Sequence, residues 1–113
     1  MISHASRLCP RGSLELVSCK EQSSSAVSVC RHDDEMLSIS YRPTLFSPVE
    51  VHAATMTEEV GHYIFSQKTE GEDQFLLIIK KSADDHTRGL FRKITAGTQT
   101  KFTYRCLTRS LNP

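Results

Sequence analysis

The sequence contains no long apolar segment and no tryptophan. A membrane-spanning helix needs about 18 or more apolar residues in succession, and no window of this chain approaches that length. Residues 1–12 also lack the apolar core that a secretory signal requires. We therefore expect a soluble intracellular protein, cytoplasmic or nuclear, that does not associate with membranes. A leader peptide removed from the chain would overturn this expectation.

Motifs that assemble a catalytic group are missing as well. The chain has no Gly-x-Ser-x-Gly elbow, no Cys-x-x-Cys, no His-Glu-x-x-His and no glycine-rich phosphate loop. Asp84, Asp85 and His86 stand side by side, but they fall in a predicted loop, where charged side chains are usually solvated. The sequence therefore predicts that the protein is not an enzyme and that it binds no cofactor.

Cysteine is present, but its spacing does not indicate a metal site. Structural zinc sites usually pair ligands two to four residues apart, and only Cys30 and His32 meet that spacing. The other cysteines are Cys9, Cys19 and Cys106. We therefore predict no metal site. Because thiols stay reduced inside the cell, we expect all four cysteines to be free.

The length and composition indicate one folded domain. A chain of 113 residues suits one compact domain with one core. Its hydrophobic share of 38% and charged share of 24% are those of a folded rather than a disordered protein. Residues 1–12 show no periodicity, so we predict a flexible N-terminal arm followed by a single domain over residues 13–113.

The most apolar stretch of the chain is Phe75 to Ile79, with charged turn residues on either side. A run so short and so apolar is typical of a strand that is covered on both faces. We expect it to be the central strand of a sheet, with a helix over one face. The other face would be covered by N-terminal strands, by the stems of basic side chains or by a second molecule, which leaves a homodimer open.

Alternating apolar and polar residues predict further strands. Two or three short strands are expected between residues 13 and 41. After Gly61, alternation predicts an antiparallel meander of about four strands, at residues 62–68, 75–79, 90–95 and 100–109. In the last strand, three side chains should face inward and three outward: Phe102, Tyr104 and Cys106, and Lys101, Thr103 and Arg105.

A helix is predicted between these two groups of strands. Ser47-Pro48-Val49-Glu50 has the form of a capping box with proline at the first helical position. Apolar residues then recur at helical spacing, and a glycine follows where helices often end: Val49, Ala53, Met56, Val60 and Gly61. A helix over Pro48–Val60 that packs on the meander makes an α+β fold.

Charge is unevenly distributed along the chain. Residues 80–113 contain eight lysines and arginines and two aspartates, whereas residues 1–79 contain six basic and eleven acidic residues. If neighbouring strands present their cations on one face, the sheet carries a positive surface. We predict a partner-binding face formed by Lys80, Arg92, Lys101, Arg105 and Arg109. The alternative is an ordinary solvated face, which its lysines and arginines protect from edge-to-edge pairing.

This charge distribution favours a protein that works by binding rather than by catalysis. The leading hypothesis is a protein-interaction or adaptor module whose sheet presents a basic surface to a protein partner. Nucleic-acid binding through the same face is the alternative. Single-strand binders also need aromatic side chains beside the cations, and Phe102 and Tyr104 are predicted to point inward.

Two short motifs resemble parts of secreted domains. Lys93-Ile94-Thr95-Ala96-Gly97-Thr98 is similar to the inhibitory hairpin of the cystatins, although the family's leading glutamine is Lys93 and its valine is Thr95. Tyr104-x-Cys106 resembles the second-cysteine strand of immunoglobulin domains, and that resemblance implies Cys19 as the partner of Cys106. The tryptophan that packs on the immunoglobulin disulfide is absent. A secreted inhibitor or an immunoglobulin-like domain is therefore a second alternative.

Overall fold

The computed structural model describes residues 8–20, 25–67, 74–81, 86–95 and 97–108. These residues form eight antiparallel strands that close into a barrel in chain order, with the last strand paired to the first. The strands are β1 (Leu14–Lys20), β2 (Ala26–Arg31), β3 (Leu37–Arg42), β4 (Glu50–Glu59), β5 (His62–Gln67), β6 (Gln74–Lys80), β7 (His86–Thr95) and β8 (Thr98–Thr108). Among the described residues, no helix is long and apolar enough to cross a membrane.

Seven of the eight strands form where the sequence predicts strands. The predicted N-terminal strands and the predicted meander are confirmed as β1 to β3 and β5 to β8. The predicted facing of β8 is also confirmed, because Tyr104 and Cys106 are buried whereas Lys101, Thr103 and Arg105 are exposed. Side chains alternate between the two faces of a strand, so a strand with one apolar side turns that side to the core.

The predicted helix over Pro48–Val60 is wrong, and so is the predicted α+β fold. The segment forms β4, which pairs with β3 on one side and with β5 on the other. Ser47 caps no helix, since its amide donates to the Thr44 carbonyl at 3.2 Å and its hydroxyl lies 2.7 Å from the Thr44 hydroxyl. Val60 is fully exposed, so the expected apolar stripe does not form a buried face.

The barrel takes β4 as a strand because of its neighbours. Strands β3 and β5 each have an edge whose backbone amides and carbonyls need partners, and a helix between them would leave both edges unpaired. A strand completes both ladders: Ile39 pairs with His52, and Phe65 pairs with Met56. The segment also contains β-branched residues that suit a strand, namely Val51, Thr55 and Thr57. Long-range pairing therefore outweighs the local capping signal.

Side chains fill the interior of the barrel. Eight strands enclose a space just wide enough for side chains to fill. The core contains Val17, Val27, Val29, Ile39, Tyr41, Phe65, Phe75, Leu77, Ile79, Phe91 and Tyr104. The Tyr41 ring centroid lies 4.8 Å from that of Phe91 and 5.8 Å from that of Phe75, distances at which aromatic rings attract. In the described part of the chain, the interior is a packed core.

A disulfide joins the first strand to the last. Cys19 on β1 and Cys106 on β8 are direct register partners, and both are buried. Their sequence separation is 87, and closing a loop of that size removes about 4–5 kcal/mol of unfolded-state entropy in the chain-entropy model. The pairing agrees with the one that the immunoglobulin resemblance implies. The closed barrel, however, is not the two-sheet sandwich of that family.

A second disulfide attaches the N-terminal segment to β2. Cys9 pairs with Cys30, and Leu8 and Cys9 are both buried against the barrel. No free cysteine is left among the described residues, so the prediction of reduced thiols is wrong. Residues 1–7 lie outside the described residues, and the division into an arm over residues 1–12 and a domain over residues 13–113 stays a prediction.

The disulfide between Cys19 and Cys106 leaves no room for a side chain at Gly89 on β7. A Cβ atom there would lie 2.7 Å from the Cys106 sulfur and 2.8 Å from Cδ1 of Ile79. We expect Gly89→Ala to lower the free energy of unfolding by about 1–3 kcal/mol, because the added methyl overpacks the core. Urea denaturation measures this. The loss should shrink in a Cys19→Ala/Cys106→Ala background, and an equal loss in both backgrounds would contradict the explanation.

Candidate binding face

The outer surface of β5 to β8 is only partly covered. On β6 the inward side chains Phe75, Leu77 and Ile79 are buried, whereas Leu76 and Ile78 on the outward side are half-buried. We expected this strand to be covered on both faces. Its inner face is fully covered, whereas its outer face is only partly covered. Its outer face presents apolar surface to whatever lies outside the barrel.

Three outward apolar side chains form a row across the sheet. Ile64 on β5 pairs with Ile78 on β6, and Ile78 pairs with Leu90 on β7. Neighbouring strands lie about 4.8 Å apart, so this apolar row spans about 10 Å. The row lines a depression of about 510 Å³, with Lys80 and Thr103 beside it. The depression is large enough to receive side chains of another molecule.

A smaller depression continues along β6 and β7. It has a volume of about 260 Å³ and its lining includes Leu76, Arg92 and Ile94. Leu76 and Arg92 are register partners, and each lies two residues from the apolar row on its own strand. The two depressions therefore lie in line, and together they are called the outer groove.

Cations stand on both sides of the apolar row. On one side, Arg92 on β7 and Lys101 on β8 are direct register partners. On the other side lie Lys80 on β6 and Arg105 on β8. Lys80 is two residues beyond Ile78, and Arg105 is two residues beyond Thr103, the register partner of Leu90. The structure thus places four of the five predicted basic-face residues on one face. The fifth, Arg109, lies outside the described residues.

Arg92 and Lys101 have no nearby anion in the described part of the chain. No described carboxylate oxygen lies within 4.0 Å of Arg92, Lys101 or Arg105. Like charges directly opposite each other on neighbouring strands destabilise a sheet. The Nε atom of Arg92 is also buried, and no acceptor among the described residues bonds to it. The described part of the chain therefore supplies no anion that offsets the charge of this pair.

A separate polar cluster lies at one end of the barrel interior. Nζ of Lys93 is 3.7 Å from one oxygen of Glu50, and Nε2 of His52 is 3.6 Å from the other. The side-chain nitrogen of Gln67 lies 2.9 Å from Nδ1 of His52, and its oxygen accepts from the Phe75 amide at 2.9 Å. The cluster connects β4, β5, β6 and β7 at the edge of the core, so it helps to hold these four strands together.

The sequence analysis does not assign Ile64, Ile78 or Leu90 to the binding face. The apolar run could have identified Ile78, because five consecutive apolar residues in a strand must place some on the outer side. The partners of Ile78 on β5 and β7 follow only from the register. That register depends on pairing between segments that are distant in sequence.

Ile78 and Ile79 are a matched pair for testing this assignment, because they are adjacent and face opposite sides of β6. Ile79 is fully buried, whereas Ile78 is half-buried on the outer face. We expect Ile79→Ala to lower the free energy of unfolding by about 2–5 kcal/mol, and Ile78→Ala by less than about 1.5 kcal/mol. Urea denaturation compares the two. A larger loss for Ile78→Ala would assign Ile78 to the core instead.

Within the described residues, no group of three or more His, Cys, Asp or Glu side chains is placed to hold a metal ion. The arguments for function therefore come from the outer face and the disulfides. Comparison of the chain with protein-family models, with curated proteins and with solved structures gave no match.

Proposed function

We propose that the protein is a non-enzymatic interaction module that binds a protein partner through the outer face of β5 to β8. The observation that carries this proposal is the apolar row of Ile64, Ile78 and Leu90, which stands between two sets of cations. Protein interfaces combine an apolar centre with a polar rim, and arginine is enriched among the residues that dominate binding. The outer groove supplies both features.

Nucleic acid is the less favoured ligand because, in the part of this face that the structure describes, no Phe, Tyr or Trp side chain is available for a base to stack on. The described aromatic residues of β5 to β8 belong to the core or pack against it: Tyr63, Phe65, Phe75, Phe91, Phe102 and Tyr104. Glu59 also lines the outer groove, and its carboxylate repels phosphate and carboxylate groups alike, so it does not discriminate between the two ligands. Binding through phosphates alone is the second candidate function, since the four cations of the face support it.

A second copy of the chain is a poor fit for this face. Two copies that met through it would bring the cations of one copy, including Arg92 and Lys101, toward the cations of the other. Like charges brought together across an interface oppose association. The favoured partner is therefore a different protein with an acidic surface.

Affinity capture from a native lysate separates the two candidate functions. Immobilised protein should retain a defined set of proteins, and retention should survive nuclease treatment. The face variant Leu90→Ser/Arg105→Gln should lose them, because it removes one apolar and one cationic side chain from the face.

The matched control is Val51→Ser/Arg31→Gln, which removes one exposed apolar and one exposed cationic side chain from strands outside this face. It should retain the proteins as the wild type does. Loss of all retained proteins after nuclease treatment would support nucleic-acid binding instead. Equal behaviour of the two variants would show that the outer face of β5 to β8 is not used.

The two disulfides bear on where the protein works. Structural disulfides persist in oxidising compartments and are rare in the cytosol. The expectation of free thiols followed from the expectation of a cytoplasmic or nuclear protein, whereas the four cysteines form Cys9–Cys30 and Cys19–Cys106. We propose that the module works in an oxidising compartment, as the secreted alternative requires.

Thiol titration tests this proposal about the compartment. The protein is isolated from its source with an alkylating agent present and is unfolded without reductant. We expect no unmodified or alkylated thiol before reduction and four after it, because each of the four cysteines is in a disulfide. Four alkylated thiols before reduction would exclude an oxidising compartment.

A further inference from the structure

A like-charged pair marks one point of the outer groove. Arg92 and Lys101 are direct register partners, which places their Cβ atoms about 4.5–5.5 Å apart. No described carboxylate oxygen lies within 4.0 Å of either side chain. Two cations at this separation repel each other, and an anion between them turns that repulsion into attraction. The pair therefore favours a negatively charged ligand group.

The Arg92 side chain favours a carboxylate in particular. A carboxylate accepts two parallel hydrogen bonds from a guanidinium, and the two terminal nitrogens can donate both of them. The Nε atom of Arg92 is buried, so it leaves no room for a ligand oxygen. Arg92 also lines the smaller depression, so a ligand in the outer groove can reach the outer end of its guanidinium.

The apolar row lies next to this cationic pair. Leu90 is two residues from Arg92 on β7, on the same face, and two residues along a strand span about 7 Å. Leu90 pairs with Ile78 across the larger depression. An extended ligand whose carboxylate binds Arg92 can therefore place the apolar side chain two residues away, on the same face, against Ile78 and Leu90.

We propose that the outer groove binds an acidic segment of another protein, with a carboxylate on Arg92 and Lys101 and an apolar side chain between Ile78 and Leu90. This inference rests on the proposed function and adds the chemistry of the partner. The groove follows β6 from Gln74 to Lys80, a distance of about 20 Å. That length accommodates about six residues of an extended chain.

Three synthetic hexapeptides with blocked ends test the required chemistry. The Asp-Leu peptide is Asp-Ser-Leu-Ser-Asp-Ser, the Asp-Ser peptide is Asp-Ser-Ser-Ser-Asp-Ser and the Ser-Leu peptide is Ser-Ser-Leu-Ser-Ser-Ser. Only the first presents carboxylates and an apolar side chain on the same face of an extended chain. A thymidine hexanucleotide is the nucleic-acid probe. We expect fluorescence anisotropy to detect binding of the Asp-Leu peptide, with at least tenfold weaker binding of the other three probes.

Four single variants locate the binding site of the Asp-Leu peptide. Arg92→Gln, Lys101→Gln and Leu90→Ser should each weaken binding about tenfold, since each removes one proposed contact. Arg92→Lys keeps the charge but loses the paired donors, so it should also weaken binding and serves if Arg92→Gln does not fold. The control Arg31→Gln removes one exposed charge from β2 and should change the affinity less than twofold.

Each other outcome overturns the inference in an identifiable way. Equal weakening by Arg31→Gln and Arg92→Gln would mean diffuse electrostatic attraction, and equal binding of the Asp-Ser peptide would remove the apolar contact. Tighter binding of the oligonucleotide would mean that the groove binds nucleic acid and not an acidic protein segment. If no peptide binds while lysate proteins still depend on Leu90 and Arg105, this inference fails and the proposed function stands. If that dependence is absent as well, both fail.

Discussion

The structure depends on the closure of β8 onto β1. Among the described residues, this ladder has four register pairs and the ladder between β7 and β8 has ten. One of the four pairs is Cys19 with Cys106, so a covalent bond reinforces the closing ladder. Without closure, the first and last strands would each present an unpaired edge. The space that the sulfur atoms occupy is also the space that a side chain at Gly89 would need.

Closure and filling of the barrel leave its outer surface as the place for the proposed binding. Barrels of eight strands either fill their interior or hold one small ligand there, and here large side chains such as Phe65, Leu77 and Phe91 occupy it. Strand β6 serves both sides, because Leu77 and Ile79 build the core while Ile78 lines the outer groove. Binding at the groove and stability of the barrel are therefore linked, since a ligand that binds only the folded state stabilises it.

Features that depend on neighbouring residues could be predicted from the sequence. Alternation identified six strands and the inward side of β8, and the apolar run from Phe75 to Ile79 identified β6. The charge count showed a basic C-terminal third, whereas the register is what places Lys80, Arg92, Lys101 and Arg105 on one face. Gly61 was expected in a left-handed conformation at a helix end. It has that conformation, with φ of 79°, but in the turn between β4 and β5, because left-handed glycines terminate helices and close hairpins alike.

Features that depend on distant residues could not be predicted in the same way. The capping box at Ser47-Pro48-Val49-Glu50 is a local signal, whereas the strand character of β4 comes from the edges of β3 and β5. The union of Cys19 with Cys106 spans most of the chain. Ile64, Ile78 and Leu90 become neighbours only once three strands have paired. Each of these features depends on contacts between segments that are distant in the sequence.

Strand β4 also determines where the barrel opens most readily. Only Ala54 of its ten residues is buried, so backbone ladders and the polar contacts of Glu50 and His52, rather than packed apolar side chains, hold it in place. Local unfolding costs least where few apolar contacts break, and the disulfide prevents separation on the opposite side of the ring. We therefore expect opening to begin at β4, which would leave the edges of β3 and β5 without partners. The cost of those two unpaired edges is then a main restraint that keeps this strand in the barrel.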